Sequence, residues 1–492
     1  MSMFNKKVSL YTAEQSRAID ELALERLNVS SNVLMQRAAQ FSFDVALKYW
    51  PNMNSVSVFA GKGNNAGDAF LFARLAQDYG IRVQLFMMTD LSGLNEEAKL
   101  AYKKIDLSSV QKELSFSDIS GDLIIDGLIG TGLRGAADGP YDEAIRLMNE
   151  TNIPILSLDI PSGVNASTGA VVNDAVMADI TTTFISHKIG LYVGKGRVHS
   201  GDIKMDSLGV PNALLSSFPG IELSVFEPAQ LPPMAIDSYK NRQGHLLIIG
   251  GDEGMPGSIL MAAEAALRSG AGLVTVATRA EHKSLLVSRI PEVMVAEADI
   301  EDLSKSYSKY DAILIGPGLG RNRWGKTLYE ACQSWDVPLV VDADGLFWMA
   351  AESRPVSDTV IVSPHVGEAA RLLGVGSSLI EQDRIKWAKE IRDRFGAIGV
   401  VKGPGSVVFG HKKISICEHG NPGMATAGMG DVLSGVIAGF VVQKFADFEA
   451  CLEIAVLLHS AAADEAAKDL GQRSLMATDV IRFLPRVMQG ER

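Results

Sequence analysis

Residues 420–431 combine a loop rich in glycine and alanine with an acid, Asp431, at the start of a predicted helix. Small residues let backbone N–H groups approach an anion, and the N-terminus of a helix adds the positive end of its dipole. A carboxylate beside a bound phosphate can take the proton of a hydroxyl as a phosphoryl group arrives. We therefore predict that Asp431 is a catalytic base; the alternative is that it only caps the helix.

Four other segments of the second half end predicted strands with glycine, acid, histidine or lysine, at residues 315–320, 341–345, 363–368 and 400–406. Open α/β sheets bind ligands at the carboxyl ends of their strands. This recurrence favours a site that contains His365 and Lys402. Taken singly, such a histidine is more often a cap or structural residue, and such a lysine is usually solvated.

In the first half, residues 60–68 follow a predicted strand, precede a predicted helix and contain the adjacent amides Asn64 and Asn65. Their glycine spacing fits neither the dinucleotide fingerprint nor the Walker loop. Two more predicted strands end near Asp126 and Asp159, and a carboxylate at the end of a buried strand is costly unless it binds something. We expect Asn65, Asp126 and Asp159 to converge on one site, where oxygen ligands would suit a hard cation. The alternative is three capped turns.

The elements that must position these residues alternate between strand and helix in both halves. Thr12 and Gln15 fit a capping box, and short apolar runs between helical segments indicate buried parallel sheets. Predicted strands cover residues 55–60, 81–88, 123–129, 153–160, 180–185, 246–249, 273–277, 312–315, 339–341, 360–362 and 398–401. Predicted helices cover residues 34–49, 68–79, 259–269, 366–373, 380–394, 432–442 and 448–468.

This alternation predicts two three-layer α/β/α domains. Five prolines between residues 208 and 239 interrupt it, so we expect the domain boundary there. The predicted domains are residues 1–222 and 230–492.

The composition excludes several classes of partner. A net charge of −12 argues against binding to nucleic acid, and no apolar run reaches the length of about 20 residues that a membrane helix needs. The three cysteines have no metal-ligand spacing and fit a reduced compartment. We expect a soluble cytoplasmic protein without a nucleic-acid or membrane partner.

The segments around Asn64, Asp126 and Asp159 resemble the NAD(P)H-hydrate epimerase family over residues 10–220. The resemblance implies a Rossmann-like fold and interconversion of the R and S epimers of hydrated NADH and NADPH, called NADHX and NADPHX. It implies that Asp159 transfers a proton and that Asn65, Asp126 and Ser162 bind potassium. The substrate contacts that it implies are Asn64, Asn65, Ala66, Gly67, Asp68, Gly130, Thr131, Gly132, Leu133, Arg134 and Asp159.

Two details accompany this resemblance. The family loop usually has glycine where this chain has Ala66 and Ala69, so a positive φ at Ala66 would be strained. Residues 179–191 also fit the family, and Lys188 could contact a substrate phosphate; a surface charge is the alternative.

Residues 316–320, 364–368 and 421–431 resemble the ribokinase-like superfamily and, within it, the ADP- or ATP-dependent NAD(P)H-hydrate dehydratases, over residues 244–484. The resemblance implies that Gly318, His365 and Asp431 contact the hydrate and that Mg²⁺ bridges nucleotide oxygens. The contacts that it implies for the adenine nucleotide are Lys402, Gly403, Pro404, Gly405, Ser406 and Gly430. Fusion of the two halves resembles the bacterial bifunctional repair enzymes, for which use of ADP would give AMP and phosphate.

Two other functions remain open from the residues: a ribokinase-like kinase of a small vitamin alcohol, and a nucleotide-binding scaffold without turnover. The epimerase-like half disfavours the kinase, and the presence of both Asp159 and Asp431 with intact loops disfavours the scaffold. We expect a homo-oligomer. The residues do not separate ADP from ATP, NADHX from NADPHX, or ring opening from water loss in the epimerisation.

Overall fold

The computed structural model of the protein describes residues 8–111, 116–231, 240, 242–444 and 447–490. The chain divides into two compact units, Met1–Glu222 and Leu223–Arg492. Residues 232–239 of the proline-rich stretch lie outside the described part of the chain.

The first unit contains a parallel sheet with the strand order β4-β3-β2-β5-β6-β7-β9, and β1 pairs with β8 separately, also in parallel. Its strands are β1 (Val8–Tyr11), β2 (Ser55–Ala60), β3 (Arg82–Met87), β4 (Val110–Gln111), β5 (Leu123–Gly127), β6 (Ile155–Leu158), β7 (Ile180–Phe184), β8 (His187–Lys188) and β9 (Asp202–Asp206). Its helices are α1 (Ala13–Leu27), α2 (Ser31–Tyr49), α3 (Asn64–Asp78), α4 (Glu96–Tyr102), α5 (Pro140–Glu150), α6 (Gly194–His199) and α7 (Asn212–Leu215).

Helices cover both faces of this sheet. Val58 and Ile125 pack in one apolar cluster with residues of α2, α3 and α4, whereas Phe59 and Ile124, their neighbours in sequence, pack in another with α5. Successive strand residues point to opposite faces, so continuously apolar strands require cover on both sides. The predicted three-layer arrangement is confirmed for this unit.

The second unit contains the strand order β13-β12-β11-β14-β15-β16-β17-β18-β19. Its strands are β11 (His245–Ile249), β12 (Leu273–Thr278), β13 (Met294–Glu297), β14 (Ala312–Ile315), β15 (Leu339–Val341), β16 (Val360–Val362), β17 (Ile398–Val401), β18 (Val407–Phe409) and β19 (Ile414–Cys417); β10 (Ile221–Ser224) spans the division between the units. Its helices are α8 (Pro256–Arg268), α9 (Lys283–Arg289), α10 (Ile300–Ser306), α11 (Arg323–Cys332), α12 (Asp344–Glu352), α13 (Val366–Leu373), α14 (Ser377–Gln382), α15 (Arg384–Phe395), α16 (Met429–Val441), α17 (Phe448–Leu470) and α18 (Ala477–Gln489).

The core of this unit is built on the same principle. Leu246, Ile248 and Leu314 pack with α8, α16, α17 and α18 in one large cluster. Leu247 and Ile313, which alternate with them, are fully buried as well. The unit is therefore a second α/β domain with parallel strands at its centre.

Four predicted helices begin three or four residues earlier than expected, at Ser31, Asn64, Pro256 and Met429, and two of these differences affect the candidate sites. The helix expected from residue 68 begins at Asn64, and the one expected from residue 432 begins at Met429. Asn64 and Asn65 therefore lie in the first turn of α3 and not in a loop. Ala66 is also helical, so alanine replaces glycine there without the strain of a positive φ.

Two further predictions need correction. The helix expected over residues 380–394 is broken between α14 and α15, because Asp383 is extended (φ −158°, ψ 80°) and its side chain accepts from Lys386 N to cap α15. The sheet of the second unit is not wholly parallel, since β18 pairs in antiparallel fashion with both β17 and β19. Neither the break at Asp383 nor the antiparallel pairing of these short strands produces a strong hydrophobic periodicity in the sequence. Within the described residues, no helix combines the length and apolar content of a bilayer span.

Candidate active sites

A cavity of about 650 Å³ lies at the carboxyl ends of β2, β5, β6 and β7 in the first unit. Parallel strands end at one edge of a sheet, so the loops after them meet there. The predicted residues that line the cavity are Asn64, Asn65, Asp68, Gly130, Thr131, Gly132, Leu133, Arg134 and Asp159. Ala66 and Gly67 instead face the packed side of α3, where a Cβ on Gly67 would lie 2.6 Å from Met35 Sδ.

Beneath the cavity, Asp126 is fully buried in β5. Its carboxylate accepts from Ser157 Oγ at 2.8 Å, Ser162 N at 2.9 Å and Ser162 Oγ at 2.5 Å. Asn65 is also buried, and neither its amide oxygen nor its amide nitrogen has a hydrogen-bond partner in the described part of the chain. Buried polar atoms are rarely left unpaired, so this amide requires a further partner.

Asp159, which is partly exposed, and the buried Lys188 form an ion pair at the cavity wall. Lys188 Nζ lies 2.6 Å from Asp159 Oδ1 and also donates to Thr183 Oγ1 and Phe184 O, at 3.0 and 2.9 Å. The lysine side chain is only 4% exposed, which excludes the surface-charge interpretation. Its ammonium is committed to Asp159 and to the end of β7, so the structure does not support the phosphate contact that the sequence allowed.

Two strained turns hold this pair. Asp159 has φ 65° and Ile185 has φ 64°, and each is the centre of a three-residue turn closed by a backbone hydrogen bond, Ile160 N to Leu158 O and Ser186 N to Phe184 O. Such turns are rare, and a β-branched residue at positive φ is an outlier. Strain of this kind persists only where the surrounding structure enforces it, which is typical of functional sites.

Two further carboxylates, Asp20 and Asp68, line the same cavity. Burial raises the pKa of Asp20 to about 7, with Lys188 opposing the effect. Burial and the nearby Asp159 raise the pKa of Asp68 well above its ordinary value. Sequence reasoning missed Asp20, although it lies one helical turn after the buried Ser16 and on the same face of α1.

In the second unit, Lys402 follows β17 and its ammonium lies 2.8 Å from Asp342 Oδ1 and 3.7 Å from Glu368 Oε2. Asp342 is 1% exposed, so the lysine is its charge partner and not a solvated side chain. Burial raises the pKa of Glu368 to about 7, against the opposing effect of Lys402. Neither Asp342 nor Glu368 was among the predicted site residues.

Asp431 lies in the first turn of α16 but does not cap it. The capping position is Gly428, at φ 88°, and it offers no side-chain hydrogen bond. The Asp431 carboxyl accepts from Ser258, and burial together with Asp342 raises its pKa to about 6. Capping, the alternative to a catalytic base, is therefore wrong, and the helix N-terminus beside exposed residues 425–427 is left open to an anion.

Glycines bring the strand ends of this unit close together. At Gly316, with φ 128°, a Cβ would lie 1.7 Å from Asp342 O, and at Gly318, with φ 56°, 2.9 Å from Met255 O. A Cβ on Gly430 would lie 3.3 Å from Lys402 Nζ. The N-terminus of α16 and Lys402 are therefore neighbours, as one phosphate site would require.

His365 and the turn after Lys402 have clear local roles. His365 Nδ1 accepts from Gly367 N and Glu368 N, at 3.0 and 3.3 Å, and Glu368 Oε2 accepts from His365 N at 2.8 Å. The histidine is thus a cap, as one alternative held, while its side chain stays 60% exposed toward solvent. In the turn, Ser406 Oγ donates to Gly403 O at 3.0 Å, and the unpredicted Arg384 donates to Pro404 O at 3.2 Å.

These features define a class of protein: an α/β enzyme with a cavity lined by carboxyls and an ion pair in a Rossmann-like unit, and with an uncapped helix N-terminus beside Lys402 and Asp431 in a ribokinase-like unit. A family model described as NAD(P)H-hydrate dehydratase matches residues 246–486, and one described as the N-terminus of YjeF-related proteins matches residues 31–190. A bifunctional NAD(P)H-hydrate repair enzyme of Coxiella burnetii is 39% identical over 485 residues, which cover 96% of this chain and 98% of that protein.

Two solved structures resemble the second unit. A ribokinase-like superfamily protein from Enterococcus faecalis has a TM-score of 0.50 and 29% identity, covering 54% of this chain and 95% of its own. An ADP/ATP-dependent NAD(P)H-hydrate dehydratase from Bacillus subtilis, co-crystallised with ATP and Mg²⁺, has a TM-score of 0.50 and 29% identity. The match covers 53% of this chain and 95% of that protein. The chain belongs to the family of bifunctional NAD(P)H-hydrate repair enzymes, and the small-alcohol kinase is not favoured.

Proposed function

We propose that the chain repairs hydrated NADH and NADPH, with epimerisation of the R and S forms in residues 1–222 and nucleotide-dependent dehydration of the S form in residues 230–492. The observation that carries the second assignment is Asp431, a carboxyl in the first turn of α16 that does not cap the helix and has a pKa of about 6. A base of that pKa is largely ionised at neutral pH, next to an open helix N-terminus.

The dehydration follows from this geometry. Hydration leaves a hydroxyl on C6 of the nicotinamide ring, and hydroxide is a poor leaving group. Asp431 takes the hydroxyl proton as the oxygen accepts a phosphoryl group, and the N–H groups at residues 427–430 stabilise the charge on that group. The lone pair of the ring nitrogen then expels phosphate from C6, and loss of the proton at C5 restores the reduced nicotinamide.

The nucleotide would contact Lys402, Gly403, Pro404, Gly405, Ser406 and Gly430, and the hydrate would contact Gly318, His365 and Asp431. The described residues hold no cluster of three metal-ligating histidine, cysteine or acidic side chains. Mg²⁺ takes much of its coordination from water and nucleotide phosphates and would offset phosphoryl charge when bound. ADP is the co-substrate that we propose, with ATP as the other candidate.

In the first unit, Asp159 would transfer the proton and Lys188 would hold its carboxylate in place. Potassium would be held by Asn65, Asp126 and Ser162, whose amide, carboxylate and hydroxyl oxygens are hard donors. The unpartnered amide oxygen of Asn65 supports this. When bound, the ion supplies a positive charge near the buried carboxylate of Asp126.

One experiment tests both activities. Purified protein receives a mixture of R and S NADHX with ADP or ATP and Mg²⁺, and the near-ultraviolet absorbance of NADH is followed. Full recovery with one nucleotide consumed per NADH supports both assignments. Recovery of NADH that stops at the S fraction refutes the epimerase activity. A stable phosphoester formed without NADH would favour the alternative of a small-alcohol kinase.

A second experiment tests the potassium site without relying on turnover. The thermal unfolding midpoint is measured in potassium chloride and in tetramethylammonium chloride at equal ionic strength. The unaltered chain should be stabilised by potassium, and Asn65→Ala should lose that difference while Asn64→Ala, at the adjacent position, keeps it. Equal midpoints for the unaltered chain in both salts would refute the site. The homo-oligomer and the cytoplasmic location stay predictions.

A further inference from the structure

Helix α1 delivers a carboxyl to the epimerase cavity from outside the segment that matches the family model, residues 31–190. Asp20 lines the cavity together with Asp159 and Lys188. Its position is set by long-range contacts of the helix that carries it, and not by the loops that build the rest of the site.

Two anchors fix the rotation of α1. Ser16 Oγ bonds with Ser186 Oγ at 3.1 Å, next to the strained turn at Ile185, and Arg17 Nη1 donates to Thr131 O at 3.0 Å, in the loop on another side of the cavity. Residues three and four positions apart share a helix face. Asp20 follows Ser16 by four and Arg17 by three, so both anchors direct it into the cavity.

We propose that Asp20 is a second proton-transfer residue of the epimerisation, acting with Asp159 on the substituents of C6. The proposal rests on the epimerase activity proposed above. Asp159 is paired with Lys188 at 2.6 Å, and this contact fixes the position of its carboxyl group. The reaction also needs an acid, and Asp20 is the carboxyl that the helix adds beside that pair.

Ring opening uses both carboxyls, whereas water loss uses Asp20 as acid and then as base. If the C6–N1 bond breaks, Asp159 takes the hydroxyl proton to give an aldehyde, the bond electrons stay on N1, and Asp20 protonates N1. Closure on the other face reverses both transfers. If the C6–O bond breaks, Asp20 protonates the C6 hydroxyl, which leaves as water while the lone pair of N1 forms an N1=C6 double bond. Water then returns on the other face, with its extra proton taken by Asp20, now ionised.

The electrostatics of the cavity support an acid at this position. Burial raises the pKa of Asp20 to about 7; Lys188 and Arg17 oppose the rise, whereas Asp159 and Glu21 add to it, and Asp68 interacts with the same group. Near neutral pH a substantial fraction of Asp20 is therefore protonated. A carboxyl that its environment keeps protonated near neutral pH can serve as an acid.

The test follows the R-to-S ratio of NADHX by chromatography. Nucleotide is omitted so that no dehydration occurs, and the rate of epimerisation measured without protein is subtracted. Asp20→Asn should slow epimerisation at least about a hundredfold. Glu21→Gln, at the exposed neighbouring position, should leave the rate unchanged, and Asp20→Glu should restore part of it. With ADP added, all variants should still dehydrate the S epimer.

The pH profile separates catalysis from support of the fold. Epimerisation by the unaltered chain should decline above a pH of about 7, and Asp20→Asn should lack that limb. The variant should also unfold at an equal or higher temperature at pH 7.5, since it lacks a buried acid. Unchanged epimerisation in Asp20→Asn, or a slower rate with the same pH limb, would overturn the proposal; absence of epimerisation in the unaltered chain would refute the epimerase itself.

Discussion

Replacement of Asp431 by asparagine separates its role as a base from its role in the fold. Asparagine keeps the size of the side chain and can still contact Ser258, but it cannot take the hydroxyl proton. A positioned general base contributes about 10² to 10⁴ in rate, so we expect kcat for dehydration of S-NADHX to fall by that factor. The affinity for ADP, measured by calorimetric titration, should change little, because the N–H groups of α16 remain.

The pKa of Asp431 also predicts a pH dependence. Because this pKa is about 6, the carboxylate is about nine-tenths ionised at pH 7 and about one-tenth ionised at pH 5. Dehydration by the unaltered chain should therefore slow about tenfold between these values. The residual activity of Asp431→Asn should not show this decline.

The same pKa predicts an opposite effect on stability. Above a pH of about 4 the unfolded chain releases this proton, whereas the folded chain retains it up to about 6. The folded state therefore loses stability as pH rises through that window. The difference between 3.8 and about 6 corresponds to about 3 kcal/mol, which solvent screening at this partly exposed group reduces to about 1 to 2 kcal/mol.

Asp431→Asn should thus unfold at a higher temperature than the unaltered chain at pH 7, and the two should converge near pH 3.5. Differential scanning calorimetry across this range measures the difference. Asp344→Asn, a nearby acid bonded to Arg321 and Gly320, serves as a matched control that should not gain stability. Full turnover by Asp431→Asn, or a loss of stability at pH 7, would refute this reasoning.

Three other substitutions test the packing around the two sites. Gly316→Ala would place a Cβ 1.7 Å from Asp342 O at a φ of 128°; it should destabilise the second unit by about 3 kcal/mol or more, seen as lost dehydration with retained epimerisation. Ala343→Gly should raise the unfolding midpoint by relieving about 1 kcal/mol of strain at φ 49°, and a lower midpoint would contradict this. Lys188→Met should cost about 3 to 5 kcal/mol by leaving Asp159 unpaired, and should abolish epimerisation while dehydration of the S epimer continues.

The sequence by itself determined the strands and the chemistry of their ends. Short apolar runs such as 123–127 and 398–401 are buried on both faces of a parallel sheet, so their composition identifies them without tertiary information. Glycine-rich turns after such strands, with Asp159 or Asp431 nearby, predict sites because backbone geometry at these positions is local. The helix starts at Asn64 and Met429 were missed, since glycine, alanine and asparagine there are equally typical of loops.

Only the tertiary structure decided which charges meet. Lys402 and Asp342 lie 60 positions apart in the chain and yet pair at 2.8 Å, and Ser16 anchors α1 through Ser186, 170 positions away. No local pattern distinguishes Lys402 from a solvated lysine, or Asp20 from an acid on the exposed face of a helix. Burial and charge partners set the pKa of a group, and both arise from contacts between distant segments, so the acid–base character of the two sites exists only in the folded chain.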